Sequence, residues 1–394
     1  MRCLVALLIV LLTSTSVALA ASTPQLMSIA VLRQASAPPP WEPLLTRPPE
    51  DLGFAGARLG IRDNQTTGRF LQQEFTLTEV SIGAEEDPLP AFDKLTSGGA
   101  EFVLLDVSPD ALLRIADAAK TSPVVLFNVG VSDDRLRGRD CRANLLHIAP
   151  SRAMLTDALA QYLMSKKWRS WLLIVGRQPG DAEYAQAVRN SAKKFGARIV
   201  AEKPWTYSPD SRTSAQAEVP LLTQGISYDI AVIADETGEF GDLVMYRTWD
   251  PRPTAGTQGL VPTSFDPAHE LWGASQLVSR FMRQSGRPML ALDYQMWEAV
   301  AALGEAATRN KSVDPSVIGQ YLRGTDFQFA AFKGVPLTFR SWDGQLRQPI
   351  LLVHGTAIVS VSPQIGYLHQ HTPLDTLGAD APDSECPLAK GGRR

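Results

Sequence analysis

Several polar or small residues follow directly after short apolar runs, in positions where they could hold a small solute. These residues are Asp106, Ser108, Asn128, Gly130, Arg177 and Glu236. Carboxylate, amide, hydroxyl and guanidinium groups bind small polar molecules through hydrogen bonds and charge, without any covalent step. Loops are polar in any protein, so each residue also has a structural interpretation. Ser108, which precedes Pro109 and Asp110, could simply cap a helix.

Aromatic side chains could add flat walls to such a site. Trp41 lies in a proline-rich stretch and Trp272 in a loop-rich stretch. Trp297 follows Tyr294 by three residues, which places both on one face of a helix. Most tryptophans pack in cores, so a structural role remains open for each of these residues.

Motifs of catalysis and metal binding are missing where they would be easy to recognise. The sequence has no G-x-S-x-G, no H-E-x-x-H, no G-x-x-x-x-G-K and no G-x-G-x-x-G. His369 and His371 could bind a metal with a cysteine, but loop histidines near a chain end are usually solvated. We therefore expect a protein that is not an enzyme, with no metal site and no required cofactor.

Strands of parallel sheets would position the predicted binding residues. Short apolar runs alternate with helical patterns up to Pro150, and the same alternation restarts after it. Continuous apolar runs suit strands buried on both faces, and their alternation with helices indicates a parallel sheet. Ligands bind beyond the carboxyl ends of such strands, which is where the polar residues lie. The pattern predicts two Rossmann-like α/β lobes.

The lobes can be bounded along the chain. We expect a signal peptide, an N-terminal lobe in two pieces, a C-terminal lobe between them and a loose polar tail; the ranges are 1–20, 21–149 with 287–365, 150–286, and 366–394. Two long helical patterns fall at 269–284 and 289–309. The Asp343-Gly344 pair predicts a turn that joins strands at 337–340 and 349–353 in a hairpin.

The first twenty residues indicate export. Arg2 precedes an apolar run, and Ala18-Leu19-Ala20 fits a cleavage site, which an uncleaved anchor would lack. No later segment approaches the roughly 20 consecutive apolar residues of a membrane-spanning helix. Cys141 and Cys386 would then lie in an oxidising compartment, where they could form a disulfide or remain two thiols.

Composition narrows the class of partner. Apolar residues make up 44% of the 394-residue chain and charged residues 20%, as in ordinary folded domains. Asp and Glu total 41 against 38 Lys and Arg, so the chain has no excess of basic charge for nucleic acid. A small-molecule partner is the remaining expectation.

Four segments carry a family resemblance: residues 58–68 (RLGIRDNQTTG), 140–155 (DCRANLLHIAPSRAML), 272–277 (WGASQL) and 342–353 (WDGQLRQPILLV). With the alternating pattern, they make the chain resemble the type I periplasmic binding proteins, the branched-chain amino-acid-like receptors of ABC importers. In detail the chain looks closest to a subgroup associated with pyrroloquinoline quinone (PQQ)-dependent alcohol dehydrogenase systems.

The resemblance implies a periplasmic receptor whose two lobes are joined by a hinge of several crossings and close on a ligand. It implies importer permease subunits as partners, PQQ or a compound of PQQ-dependent alcohol oxidation as the bound ligand, and a PQQ-dependent dehydrogenase as a further partner. The alternative is a periplasmic cofactor carrier or sensor that serves such a dehydrogenase without transport. PQQ bears three carboxylates, and we expect Arg152, at the start of a helix, to contact such an anion. Asp106 departs from the Ser/Thr-rich stretch of amino-acid receptors, which leaves the ligand open.

Overall fold

The first lobe is built on a parallel sheet of five strands. The computed structural model describes residues 24–36, 48–206 and 211–391. The strands are β1 (Gln25–Gln34), β2 (Gln73–Ile82), β3 (Phe102–Asp106), β4 (Val125–Asn128) and β5 (Leu145–His147), and the sheet order is β2-β1-β3-β4-β5. The connecting helices are α1 (Phe54–Leu71), α2 (Pro88–Ser97) and α3 (Pro109–Ala118). Phe102, Val103 and Leu104 are fully buried, as expected of a strand covered on both faces.

The second lobe repeats this architecture with four parallel strands. Its helices are α4 (Arg152–Ser165), α5 (Pro179–Phe195), α6 (Ser211–Thr223) and α7 (Gly241–Val244). Its strands are β6 (Ser170–Val175), β7 (Arg198–Pro204), β8 (Ile230–Ala234) and β9 (Thr254–Gly256), in the order β7-β6-β8-β9. Ser151 caps α4 as expected, because its hydroxyl accepts the Met154 amide at 3.2 Å.

The remaining described residues add six short strands and four α-helices to the two lobes. The strands are β10 (Val261–Thr263), β11 (Phe329–Ala330), β12 (Pro336–Phe339), β13 (Leu346–Arg347), β14 (Ile350–His354) and β15 (Ala357–Ser362). The helices are α8 (Ala274–Ser285), α9 (Ala291–Asn310), α10 (Pro315–Arg323) and α11 (Pro387–Gly391). Within the described part of the chain, no helix has the length and apolar character needed to cross a bilayer.

Three crossings join the lobes. The chain passes from β5 to α4 through residues 148–151, from β10 to the first-lobe core at Ser264, and from β13 to β14 through residues 348–349. The crossings bond to one another: the Gln348 amide donates to the Ile148 carbonyl at 2.8 Å. The predicted fold, two α/β lobes on a multi-crossover hinge, is confirmed.

The predicted lobe boundaries need correction at the second and third crossings. Leu277 and Phe281 of α8 are fully buried in the first-lobe core, although residues up to 286 were assigned to the second lobe. Conversely, Ile350 and Leu352 of β14 lie in the second-lobe core, although residues up to 365 were assigned to the first. An apolar pattern in a helix or a strand predicts which residues are buried. It does not predict which of the two lobes they pack against.

The predicted hairpin is also wrong in its pairing. Residues 342–344 do form a turn, but β12 pairs with the two-residue β13, and β14 pairs with β15 and β10. The reason is the third crossing, which falls between β13 and β14 and sends the two strands to different lobes.

The tail is ordered rather than loose as far as residue 391. Leu377 is fully buried in the second-lobe core, and Asp375 accepts hydrogen bonds from Arg340 at 2.9 Å and Arg347 at 2.8 Å. The chain then reaches the first lobe, where Cys386 is bonded to Cys141 with a Cα–Cα distance of 5.6 Å. The predicted disulfide is confirmed, and the alternative of two thiols is wrong. The predicted signal peptide lies outside the described residues and stays a prediction.

Candidate functional site

A cavity of about 660 Å³ opens between the two lobes at the carboxyl ends of their strands. We call it the interlobe cleft. The first lobe contributes Ser36, Pro109 and residues 130–133, and the second lobe contributes Arg152, Leu155, Tyr184, Asp235, Glu236, residues 256–258, Val261 and Pro262. Its position at the strand ends and between lobes is where small-molecule sites are common.

The first-lobe side of the cleft is supported by residues that do not themselves line it. Gly130 lines the cleft, and a Cβ atom at that position would lie 2.0 Å from Asp106 Oδ1, so only glycine fits there. Asp106 itself forms an ion pair with Arg33 at 3.2 Å. Burial raises the pKa of Asp106, against the opposing charge of Arg33. Asp106 therefore supports the rim, and its charge is already matched.

Asn128 and Ser108 play smaller parts than predicted. The Asn128 side chain is buried and donates to the Val131 carbonyl at 2.7 Å while accepting the Val131 amide at 2.9 Å. It fixes the turn that presents Gly130, but it does not line the cleft. Ser108 is exposed beside Pro109 at the start of α3, and its hydroxyl makes no capping hydrogen bond. The structure thus assigns Asn128 a supporting role behind the rim, and its direct contact with a ligand stays a prediction.

Arg152 lies in the cleft but is fully occupied by carboxylates. It donates two hydrogen bonds of 2.8 Å to Glu236, one of 2.8 Å to Asp133 and one of 2.6 Å to Glu183. Burial alone would lower the pKa of Arg152, but these bonds and charges more than offset it and raise that pKa. Asp133 belongs to the first lobe and Glu236 to the second, so Arg152 joins the lobes and is not a free anion contact.

Asp235 organises the loop on the second-lobe rim. One carboxylate oxygen accepts the Phe240 amide at 2.8 Å and the Gly241 amide at 2.7 Å, and the other accepts the Glu239 amide at 2.9 Å. This arrangement holds the turn after β8 and presents Glu236 next to Arg152.

Tyr184 of α5 contributes an unused hydroxyl. The side chain is 3% exposed and lines the cleft, and among the described residues its hydroxyl has no hydrogen-bond partner. Burial, followed by the charge of Glu236, raises the pKa of Tyr184. The hydroxyl is therefore protonated at neutral pH, and a bound solute could satisfy it.

The lining is acidic. Three of its side chains, Asp133, Asp235 and Glu236, carry carboxylates, whereas Arg152 is its single cation. In a partly buried site an excess of one sign favours a ligand of the other. The cleft therefore suits a polar solute that carries positive charge.

Arg177 lies outside the cleft. Its side chain is 41% exposed and pairs with Glu239, behind the loop that Asp235 organises. Arg177 is not among the residues that line the cavity, so a contact of Arg177 with the ligand stays a prediction without support from the cleft.

The predicted aromatic walls are also wrong. Tyr294 stacks on Phe265 with ring centroids 4.4 Å apart, and its hydroxyl donates to the Ala331 carbonyl at 2.6 Å. Trp297 is 4% exposed and donates to Asp63 at 2.9 Å. Both lie in the first-lobe core, Trp297 against α1 and Tyr294 against Phe265.

Trp272 and Trp41 do not add to the cleft either. Trp272 is 49% exposed and packs against Gly334 in a separate cavity lined by β12, the end of β15 and the tail. Trp41 lies outside the described residues, and its role stays a prediction.

Sequence reasoning missed Asp133 and Tyr184. Asp133 lies three residues after Gly130, in the same loop that follows β4. Including the whole of that loop in the predicted site would have identified Asp133. Tyr184 is six residues into a helix that has several apolar positions, and no sequence signal separates it from a core tyrosine.

No group of three or more His, Cys, Asp or Glu side chains in the described segments is arranged to hold a metal. His369, which the sequence offered as a candidate ligand, instead lies 3.3 Å from Asp380.

Comparisons with known proteins define the class of fold. A family model described as periplasmic binding protein matches residues 87–219. No curated protein matches the chain significantly. The solved structures include a branched chain amino acid ABC transporter periplasmic ligand-binding protein from Burkholderia xenovorans, with a TM-score of 0.72, 15% identity, and coverage of 92% of this chain and 100% of that chain.

Two further structures agree. A leucine-, isoleucine-, valine-, threonine- and alanine-binding protein from Brucella ovis, in a closed conformation, has a TM-score of 0.66 and 15% identity, covering 84% of this chain and 89% of that one. An ABC transporter substrate-binding protein from Desulfitobacterium hafniense in complex with Leu has a TM-score of 0.65 and 15% identity, covering 86% and 100%. The chain thus has the type I periplasmic binding protein fold.

Proposed function

We propose that this chain is a periplasmic solute receptor of an ABC importer, and that it binds one small molecule with an ammonium group in the interlobe cleft. The observation that carries the proposal is the lining of that cleft. The second lobe presents Glu236 and the unpartnered hydroxyl of Tyr184, while the first lobe presents Ser132 and Asp133. A solute between them would contact both lobes at once.

Binding would act by closing the lobes. A ligand favours the closed arrangement only when it makes contacts there that the open arrangement lacks. The three crossings form the hinge for such a movement. No covalent step is required, and permease subunits that recognise the closed receptor would complete the import system.

The structural neighbours supply independent support. Those described above are named as amino-acid-binding proteins or hold leucine. An amino acid carries the ammonium group that the acidic lining favours. At 15% identity the contacts of a neighbour do not transfer residue by residue, so the charge of the cleft lining is what favours this ligand class.

PQQ and a PQQ-dependent dehydrogenase, which the sequence resemblance implied, are less well supported. PQQ bears three carboxylates, whereas the cleft sets three carboxylates against Arg152, which is already paired. Bringing like charges together at such a site is unfavourable. We therefore rank a PQQ receptor, and a PQQ carrier without transport, below the receptor for an ammonium-bearing solute.

The test is a calorimetric titration with three molecules that share one carbon skeleton. Leucine carries both charges, 3-methylbutylamine lacks the carboxylate, and 4-methylpentanoate lacks the amine. We expect leucine or the amine to bind at least about tenfold more tightly than 4-methylpentanoate, because a hydrogen-bonded charge contributes roughly 1.5–3 kcal/mol.

PQQ is titrated in parallel. Tight one-to-one binding of PQQ, or of 4-methylpentanoate in preference to the amine, would overturn the proposed ligand class. Binding by none of the four molecules, in a receptor that also fails to respond to the other natural amino acids, would overturn it as well.

A further inference from the structure

A second cavity of about 660 Å³ lies on the second lobe, away from the interlobe cleft. We call it the aromatic pocket, and we define it by Tyr162, Trp168, Tyr246, Trp249, Arg252 and His354. Ile230 and Thr254, the first residues of β8 and β9, form its floor. Its volume falls within the range of small-molecule sites, roughly 300–1,000 Å³.

The pocket lies at the opposite ends of the strands that carry the cleft. Ile230 begins β8, whereas Asp235 and Glu236 follow the end of the same strand and line the cleft. Five residues of strand separate the two ends by about 15 Å, since a strand rises about 3.3 Å per residue. One small molecule cannot occupy both cavities.

The chain holds large aromatic side chains open to solvent at this pocket. Tyr246 is 89% exposed and Trp249 is 55% exposed. Tyr246 has a φ of +66°, in the left-handed region that non-glycine residues seldom adopt. The loop is fixed rather than free, because Thr223 accepts the Trp249 amide at 2.8 Å and Thr248 donates to the Asp250 carbonyl at 2.7 Å. Exposed aromatic surface held in this way marks a binding site more often than a chance patch.

The charge of the aromatic pocket is opposite to that of the cleft. No acidic side chain lines it, whereas Arg252 and His354 do. Within the described segments, Arg252 forms no ion pair and its side chain makes no hydrogen bond, so its guanidinium is available. His354 Nδ1 donates to the Gly259 carbonyl at 3.0 Å, which holds the ring in place. Lys166, over the Tyr162 ring at 5.2 Å, adds a further positive charge nearby.

One acid of the second lobe, Asp229, interacts with Arg252 through charge. Asp229 is engaged by the Arg169 amide, the Ser170 amide and the Ser170 hydroxyl, each at 2.8 Å. All three bonds reach one oxygen, Oδ2, and Arg252 forms no ion pair with the carboxylate, so its guanidinium can still contact an anion in the pocket.

We propose that the aromatic pocket is a second ligand site, distinct from the interlobe cleft, and that it binds a small aromatic anion. The ring of the ligand packs against Trp249 and Tyr246, and its carboxylate or sulfonate pairs with Arg252. Planar guanidinium groups bind such anions with two parallel hydrogen bonds. Aromatic walls discriminate in favour of flat ligands.

Three naphthalene derivatives that differ in charge test the proposal on the purified protein. They are 2-naphthoate, the neutral 2-naphthamide and the cationic 2-naphthylmethylamine. Binding is followed by calorimetry and by quenching of tryptophan fluorescence, because Trp168 and Trp249 line the pocket. We expect 2-naphthoate to bind about tenfold more tightly than 2-naphthamide, as a charge-assisted pair would provide, and the amine to bind most weakly.

Matched variants locate the site. Trp249→Ala should weaken 2-naphthoate binding at least about fivefold, as loss of an aromatic contact would, whereas Trp272→Ala, which removes another half-exposed tryptophan, should not. Arg252→Gln should abolish the preference for 2-naphthoate over 2-naphthamide, whereas Arg139→Gln, at a 75% exposed arginine of the first lobe, should preserve it.

The cleft variant Tyr184→Phe separates this proposal from the function proposed above. It should leave 2-naphthoate affinity unchanged. The second site is overturned if 2-naphthoate fails to bind, if Trp249→Ala and Arg252→Gln leave its binding intact, or if Tyr184→Phe is the variant that weakens it. None of these results bears on whether an ammonium-bearing solute binds in the cleft.

Discussion

Arg152 illustrates how one residue can be located correctly and assigned the wrong partner. Its place at the first turn of a helix after an interlobe crossing put it in the cleft. Its guanidinium contacts three carboxylates: Asp133, 19 residues earlier, and Glu183 and Glu236, 31 and 84 residues later. The sequence could not show that these residues would meet. The same side chain that suggested an anion site is instead a structural tie between lobes.

This leads to a prediction for Arg152→Gln. The variant leaves Asp133 and Glu236 as neighbouring carboxylates without their cation, and breaking a buried pair in this way costs about 3–5 kcal/mol. Because Glu236 is partly exposed, we expect the lower end, about 3 kcal/mol, in the free energy of unfolding measured with urea.

Arg114→Gln is the control for that measurement. Arg114 and Asp87 form an ion pair in which both side chains are about half exposed, and such pairs contribute about 1 kcal/mol or less. If Arg152→Gln destabilises the protein no more than Arg114→Gln, then Arg152 is not the tie described here.

At the scale of elements, helix α9 places a buried glutamate, Glu298, near the crossings that form the hinge. Glu298 is fully buried, and its Oε1 lies 3.1 Å from the Tyr294 hydroxyl. Burial raises the pKa of Glu298 to about 8, partly offset by the charge of Lys333. Lys333, whose pKa burial lowers to about 8, donates to the Ser264 carbonyl and, at 3.2 Å, to the Pro349 carbonyl. Two of the three crossings are therefore held by one ammonium group beside this acid.

The raised pKa of Glu298 predicts a pH dependence of stability. The folded protein holds a proton that the unfolded chain releases near its ordinary pKa of 4.5. The stabilising contribution is therefore full below about pH 4.5 and is lost as the pH rises through about 8. Glu298→Gln keeps a neutral side chain at every pH, so the wild type should lose stability relative to this variant across that window.

Thermal unfolding at several pH values measures the difference. Glu305→Gln is the control, because Glu305 lies on the same helix but is partly exposed and pairs with Arg309 at 2.7 Å. A constant difference between wild type and Glu298→Gln from pH 4.5 to 8 would show that Glu298 does not hold the proton.

The strands and helices of both lobes could largely be predicted from local patterns. The lobe that each later strand or helix joins could not be predicted in this way. Buried strands such as β8 are short, continuous apolar runs, and α10 has an aspartate cap followed by proline, both of which are local signals. The pairing of β14 with β15 depends on which lobe each strand joins. That choice is made by contacts distant in sequence, and a local pattern does not encode it.

Within the candidate site the same distinction holds. Glu236 and Gly130 were found because the ends of parallel strands are predictable places. Tyr294 and Trp297 were mistaken for a ligand wall because a shared helix face fixes only that two side chains are neighbours. Whether the face meets a cavity or a core depends on partners distant in sequence, here Asp63 of α1 for Trp297 and Phe265 for Tyr294.

At the scale of the whole molecule, the tail returns from the second lobe to the first and ends in a disulfide. Gly378 is held to the second lobe by Asp157, which accepts its amide at 2.8 Å. Cys386 lies eight residues further on and is bonded to Cys141 of the first lobe, across a sequence separation of 245. The tail is therefore a fourth link between the lobes.

Removing the disulfide should destabilise the protein. Closing so long a loop contributes about 4–5 kcal/mol on the chain-entropy model, and measured losses fall near 2–5 kcal/mol. We expect Cys386→Ser to lower the free energy of unfolding by about that amount, with the double variant Cys141→Ser/Cys386→Ser equal to it. A reductant should lower the stability of the wild type only; if it lowers none of the three, the bond does not stabilise the fold.

The most direct test of the account is the affinity of Tyr184→Phe for leucine and for 3-methylbutylamine, measured by calorimetry beside the wild type. Tyr228→Phe is the control, since Tyr228 is another buried tyrosine of the second lobe that does not line the cleft. We expect Tyr184→Phe to keep its melting temperature and to bind these ligands at least about fivefold more weakly, as loss of one hydrogen bond implies. Unchanged affinity in Tyr184→Phe, with the wild type binding either molecule, would place the solute outside the interlobe cleft and contradict the account.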